Sequence, residues 1–530
     1  MKLKIVILCI IVMLSGLSAK NSVEDKVHYT TVNQLGLTVT NYGVLGEGYN
    51  NPDQPSCMYK QHTDNIKEQI EHMSYGGLWV GGKLNGEKRV TTAVVDGVFN
   101  YGSRGFEFTD NGNSVLERSS IPSSPLYSPY AISHQDFFAT YHDTGIVDSH
   151  NPLYIQINQT SFAWNYSFTE AFVIFNYHIT NIGSSTIQDI FLGFWADAAV
   201  GNMNYTSEYE PGGGWSWYDN QNGFDESVFD PIPDDDFEGL DRNIAYQFDQ
   251  DGDNGYAQSY AGFTFLGTET VPRAYWDTYY NQWKWNTSSD LKYPEYFMPI
   301  TDPERYDKLI TSVPKHFDDT DYTTEGYPSQ SACWMSLISA GPFGSKPANT
   351  DSSSWELPPG ESFDIAFTVV CGEWADSSSN DNAERRVLLL NNADVAQNIF
   401  NGEDLNGNGH LDEGEDQNDN GILDHYIIIP TTSIDLNENN GLPGKFILSQ
   451  NYPNPFNPTT TIGYAIPEDS NVILSIYDIS GHLIEVLVDE YRQAGQYNIK
   501  WNASKYNSGI YINKLESSYG TVSRKMVLIK

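Results

Sequence analysis

Cysteine is scarce, at four in 530 residues, and no CxxC pair occurs. That excludes a disulfide-dense small scaffold and a cysteine zinc site. Cys9 falls in the apolar N-terminal run, which leaves Cys57, Cys333 and Cys371. Cys333 and Cys371 stand in strand-like sequence and could pair across a sheet; the alternative is three buried apolar thiols. Basic residues are also few: 29 Lys and Arg against 69 Asp and Glu, a formal net charge of −40. Such a chain repels nucleic acid and anionic membrane surfaces and attracts cations. Catalytic signatures are missing too, with no HExxH and no GxSxG. The 11 histidines are scattered, none paired at i, i+4 as zinc ligands would be. Residues 77–84 match GxxxxGK, but Leu84 replaces the magnesium-binding Ser or Thr, so the segment reads as a strand and its turn. Asp143-Thr144-Gly145 has no second copy and reads as a turn. No segment after the N-terminus is apolar over the ~20 residues a membrane helix needs.

The N-terminus has a basic start, Met1-Lys2-Leu3-Lys4, then a short apolar run at 5–14. Small residues follow in Leu17-Ser18-Ala19. Residues 1–19 therefore read as a secretory signal peptide cut near Ala19. No small-residue lipobox leads to Cys9, which argues against a lipid anchor.

What is abundant is aromatic and turn-forming: 35 Tyr, 12 Trp and 44 Gly. This composition predicts a turn-rich extracellular β-protein, and the length predicts three or four domains. The fold class expected is mainly β: a β-sandwich body, then calcium loops, then a C-terminal immunoglobulin-like β-sandwich. Residues 20–400 form the β-rich body, with a seam near 155 that would make two lobes. Asn85-Gly86 between two apolar runs marks a hairpin. The run 172–180 reads as a strand with 187–195 as its partner. Helical spacing is confined to 383–400 and a short stretch at 64–72.

Residues 401–427 carry the sharpest chemistry. From Asp404 the chain fits a twelve-residue calcium loop, with side-chain oxygens from Asp404, Asn406 and Asn408 and a tight turn at Gly409. The carbonyl of His410, then Asp412 and a bidentate Glu415 complete it. A second copy follows with Asp416, Asn418, Asn420, the carbonyl of Ile422, and Asp424. Its twelfth position is Ile427, whose side chain offers no oxygen, so this copy is the weaker. Calcium takes six to eight oxygens at about 2.4 Å, and this spacing supplies them from one loop. The back-to-back copies resemble thrombospondin type 3 or dockerin calcium repeats; the bland alternative is a solvated acidic linker. Asp249, Asp251 and Asp253 alternate similarly without a complete template.

Two aromatic clusters could bind a partner. Tyr205, Tyr209, Trp215, Trp217 and Tyr218 flank three glycines. Tyr275, Trp276, Tyr279, Tyr280, Trp283 and Trp285 interleave with Asp277 and Asn281. Ring faces beside amides and carboxylates suit a glycan or other cell-surface ligand; equally, they suit a core.

After a linker at 428–445, residues 446–530 alternate short β-branched or aromatic runs with turn formers. Strands are expected at 460–466, 472–478, 482–488, 496–501, 510–516 and 521–529. The motifs Asn451-Tyr452-Pro453-Asn454-Pro455-Phe456-Asn457-Pro458, Ile476-Tyr477-Asp478, Ser508-Gly509-Ile510-Tyr511 and 525–530 stand in one order. In that order they resemble the type A C-terminal sorting domain of bacterial type IX secretion. The resemblance implies engagement of the type IX machinery and delivery outside the cell. The body resembles exported regions found ahead of such tails, which implies no activity. The expected function is a calcium-stabilised binding or structural component, with an extracellular hydrolase acting on polysaccharide as the alternative.

Overall fold

A computed structural model describes residues 28–404, 425, 447–448, 451 and 456–528, apart from short internal stretches, the longest being 202–219, 96–105 and 230–239. The chain forms two compact units, Met1–His425 and Tyr426–Lys530.

In the first unit the main strands are β1 (Leu35–Val39), β2 (Cys57–Tyr59), β3 (Ile70–Leu84), β4 (Glu87–Thr92), β5 (Gln135–His142), β6 (Ile155–Ala163) and β7 (Phe172–Asn181). They continue with β8 (Ile187–Gly201), β9 (Asn220–Asp225), β10 (Ile244–Asp249), β11 (Ser259–Gly267), β12 (Asp277–Lys284), β13 (Trp334–Phe343) and β14 (Ser362–Glu373). Among the described residues two helices join them, α1 (Asp302–Leu309) and α2 (Val387–Asn401). Among the described residues one sheet has ten strands, built around β1, β3, β8, β13 and β12, with β2 and β4 on its flank. The other has nine, in the order β9-β10-β11-β14-β7-β6-β5 before a last short strand. The sheets face each other across one apolar core, where Phe194 of β8 stacks on Phe367 of β14 at 4.3 Å between ring centroids.

Local chemistry explains the elements. In β6 the apolar Ile155 and Ile157 are buried while Gln156 and Asn158 turn outward, the period-two pattern of a strand with one core face. Asn85 (φ 53°) and Gly86 (φ 83°) make the expected hairpin between β3 and β4, where left-handed backbone suits Asn-Gly. Helix α2 fills the predicted helical stretch from Val387 onward and ends one residue beyond it, at Asn401. The stretch at 64–72 is instead a single 3-10 turn, Ile66–Glu68, followed at once by β3. Helix α1 was not expected. Thr301 caps it and Glu304 closes a reciprocal capping box, a signal present in the sequence.

Two expectations are corrected. Strand β7 does not pair with β8; it lies between β6 and β14, while β8 enters the opposite sheet between β3 and β13. The Asn181 side chain fixes this crossing. Its Nδ2 donates to the carbonyls of Ser185 (2.9 Å) and Leu357 (2.8 Å), and its Oδ1 accepts from the Gly183 amide. The seam near 155 is also not seen, because that position opens β6, which is paired on both sides.

The second unit holds β15 (Thr459–Ile466), β16 (Ser470–Asp478), β17 (Leu483–Arg492), β18 (Gly495–Asn502), β19 (Gly509–Ser517) and β20 (Gly520–Leu528). All six expected strands are present. With Ile447–Leu448, β15 and β18 make one sheet; β17, β16, β19 and β20 make the other. Ile462, Leu474, Trp501 and Leu515 share the core between them.

Candidate functional site

At the edge of the nine-stranded sheet, β9 and β10 meet the segment 322–329 around a pocket of about 280 Å³. Gln221, Asn222 and Gln250 supply amides; Tyr246, Phe248, Tyr322 and Tyr327 supply rings; Glu325 and Asp381 supply carboxylates. Strand β9 can form this wall because Gly223, paired with Tyr246, has no side chain. A Cβ there would lie 2.3 Å from the Tyr246 Cζ and Oη. The phenol therefore crosses β9 and reaches both acids.

Arg386, just ahead of α2, organises the charges beneath. Its Nη1 donates to Asp381 Oδ2 (2.5 Å) and to the Tyr246 oxygen (2.9 Å). Its Nη2 donates to Glu325 Oε1 (2.8 Å) and Asp225 Oδ2 (3.0 Å). The Tyr246 hydroxyl lies 2.8 Å from Glu325 Oε2 and 2.7 Å from Asp381 Oδ2, and Tyr260 donates to Asp381 Oδ1 at 2.7 Å. Tyr246 has one proton, so it donates to one carboxylate only; a close approach to the other requires that acid to hold a proton. Asp381 suits that role, since burial raises its pKa against the pull of Arg386. Burial also pushes Asp225 up, but hydrogen bonds from Ser227 and the Arg386 guanidinium outweigh it and leave its carboxyl below the usual range. With Asp381 holding a proton, Asp225 and Glu325 still outnumber the Arg386 guanidinium and leave the pocket floor negative, which disfavours anionic ligands.

Asn222 is 6% exposed; its Nδ2 donates to the Trp334 carbonyl at 3.3 Å, while its buried Oδ1 has no partner among the described residues. That oxygen is shielded from solvent, so the pocket meets a ligand through its tyrosine rings and the amides of Gln221 and Gln250. Tyr322 is half-buried, its ring edge-on to His316 and Tyr293.

The sequence-predicted sites fall differently. Asp404 is buried and its amide donates to the Asn401 carbonyl at 3.0 Å, just past α2. The remaining calcium positions, Asn406, Asn408, His410, Asp412, Glu415, Asp416, Asn418, Asn420, Ile422 and Asp424, lie outside the described residues. Asp251, Asp253, Cys333 and the whole Tyr205–Tyr218 cluster do so as well. In the second aromatic cluster Trp276, Tyr280 and Trp283 are buried, with Trp283 at 5.9 Å from Trp79. These three are core, not an open platform; Tyr275 and Trp285 lie outside the described residues. Tyr280 packs edge-on against Tyr327 at 5.4 Å and so supports the pocket from behind. Asp143 accepts from the Leu153 and Ile155 amides and from Thr91, a structural turn as expected. Among the described residues no group of three or more His, Cys, Asp and Glu side chains is arranged to hold a metal ion, and no helix is long and apolar enough to cross a membrane.

Sequence reading missed Asn222, Glu325, Asp381 and Arg386. The available signal was Arg385-Arg386, an adjacent basic pair before a helix in a chain short of cations; buried, such a pair must gather acids.

Fold and site define a β-sandwich protein with a small acidic pocket and a separate C-terminal β unit. Residues 450–530 match the secretion system C-terminal sorting domain. That tail implies engagement of the type IX machinery and export to the cell surface or beyond. No curated protein matches the chain. Among solved structures it is similar to a candidate aldose 1-epimerase from Escherichia coli K12, at 9% identity, covering 66% of this chain and 99% of that one with a TM-score of 0.24. It is also similar to the BSP domain of a biofilm associated protein, at 6% identity, covering 95% and 80% with a TM-score of 0.13. At these TM-scores neither likeness bears on fold or activity.

Proposed function

We propose that the body is a surface or secreted binding component for a neutral sugar, delivered by a signal peptide at 1–19 and the sorting tail. The observation that carries this reading is a pocket lined by the rings of Tyr246, Tyr322 and Tyr327 and by the amides of Gln221 and Gln250. Sugars present hydroxyls to such amides and C–H faces to such rings, and they carry no charge for the acidic floor to repel. Titration of the full chain with a panel of neutral mono- and oligosaccharides tests it. Tyr322→Ala, which removes a ring contact of about 0.5–1.5 kcal/mol, is expected to weaken binding up to about tenfold. Gln250→Leu, at an exposed amide of the pocket, removes a hydrogen bond of about 1 kcal/mol, roughly fivefold. Both variants are expected to keep the wild-type melting temperature within a few degrees; unchanged affinity in both would sink the pocket assignment.

A second reading, hydrolysis of polysaccharide, draws on Glu325 and Asp381 flanking one Tyr246 hydroxyl. Their oxygens lie within two hydrogen-bond lengths of each other, near enough for the two acids to act as a pair on one bond. Both acids are also bound to Arg386, which favours a structural role. Release of reducing ends by the wild type, lost in Glu325→Gln, would make this the leading reading.

We further propose that residues 404–424 bind calcium. What supports this is the sequence template together with the anchoring of its flanks. Asp404 holds to the end of α2, and His425 stacks on Phe400 of the same helix at 5.3 Å.

A further inference from the structure

Two buried cysteines face each other across the sandwich. Cys57 opens β2 in the ten-stranded sheet and Cys371 lies in β14 of the nine-stranded sheet; both are 0% exposed and belong to one core. The backbone of each is fixed. The Cys57 amide donates to Glu71 Oε2 at 2.7 Å, and the residue pairs with Leu37 of β1. The Cys371 amide donates to the Ala171 carbonyl and its own carbonyl accepts from Asn392 Nδ2, both at 2.8 Å. The sheets are clamped on either side of the pair. Lys60, just beyond Cys57, forms an ion pair with Glu373, just beyond Cys371. Asn33 Nδ2 donates across to the carbonyl of Phe172, the residue paired with Val370. Between these ties the Cys57 and Cys371 side chains lie close enough to influence each other's ionisation.

We propose that Cys57 and Cys371 form a disulfide that staples the two sheets of the exported body, leaving Cys333 as the single thiol. Export takes the chain through an oxidising compartment, where such a bond persists. The reaction converts two thiols to one S–S bond. The two electrons and two protons go to the disulfide of a thiol oxidoreductase, which leaves as a dithiol. Its timing follows from burial. In the closed sandwich the contact with Cys371 and desolvation hold the Cys57 thiol well above its ordinary pKa, so almost no attacking thiolate exists there. The bond therefore forms while the sheets are still closing. The benefit is large in principle, because the cross-link joins positions far apart in the chain.

The test uses the chain from residue 20 onward, without Cys9, refolded in mixed oxidised and reduced glutathione, so it does not depend on the pocket assignment or on export. After denaturation in an alkylating reagent and digestion, mass spectrometry is expected to find one linked peptide holding Cys57 and Cys371. It should be lighter by two hydrogen atoms than the free pair, with Cys333 alkylated. Cys333→Ser should give the same link, and Cys371→Ser should leave Cys57 alkylated. Three alkylated cysteines, a glutathione adduct on Cys57 or Cys371, or a bridge through Cys333 would each overturn the proposal.

Discussion

Glu107 and His150 form a buried ion pair at 3.6 Å, with Arg305 at the same distance from the same carboxylate oxygen. Burial pushes both groups towards neutrality, yet their mutual attraction prevails: His150 titrates above its ordinary value and Glu107 below. Asp143 and Asp302 also face His150 and favour its cation. A raised histidine stabilises the fold fully below its unfolded value near 6.5 and loses that contribution as pH climbs through its folded value. A lowered carboxylate contributes above about 4.5 and is lost as pH falls through its folded value. The pair therefore supports the body most between these limits. Urea midpoints of wild type and Glu107→Gln should differ most at about pH 5–6, with the gap narrowing as pH rises past the His150 transition. A gap that does not change between pH 5 and 9 would contradict the pairing. Residues differ in how legible they were. Trp283 was readable as either core or platform, and its neighbour Trp79 decides for core. Asp225 and Glu325 could not be picked from 69 acids, because only long-range folding brings their segments to Arg386, whereas Asp381 stands five residues from it.

Elements were legible where the signal is local. The Asn85-Gly86 hairpin, α2 and the six tail strands follow from turn chemistry and hydrophobic period. Sheet membership was not, since neighbours in sequence usually pair and β7 to β8 is an arch; the deciding bonds, from Asn181 to Leu357, are long-range. The calcium segment is the element whose chemistry was legible while its geometry lies outside the described residues. Calorimetry of the full chain is expected to register calcium. Asp404→Ala or Glu415→Ala should weaken it by tenfold or more, because each removes a charged ligand. Asp424→Ala should do less, since its copy already lacks a twelfth-position carboxylate. Absence of any calcium heat would leave the acidic linker, and equal losses in both copies would refute their ranking.

At the scale of the whole molecule, the two units divide the labour. The tail holds its own core and sheets and matches a sorting family from residue 450 onward; the body carries the pocket and the acidic surface. The tail was the most legible part because its motifs are local and ordered. The body's role was the least, because its pocket is assembled from β9, β10 and the loop at 322–329. That division makes a direct demand on behaviour. In a host with type IX machinery, the measurement is the fraction of protein outside the cell for the full chain and for a chain ending at residue 449. The full chain should reach the surface or the medium, while the shortened chain should fold, resist protease like the intact body, and stay in the periplasm. Equal amounts of both outside the cell would contradict the account.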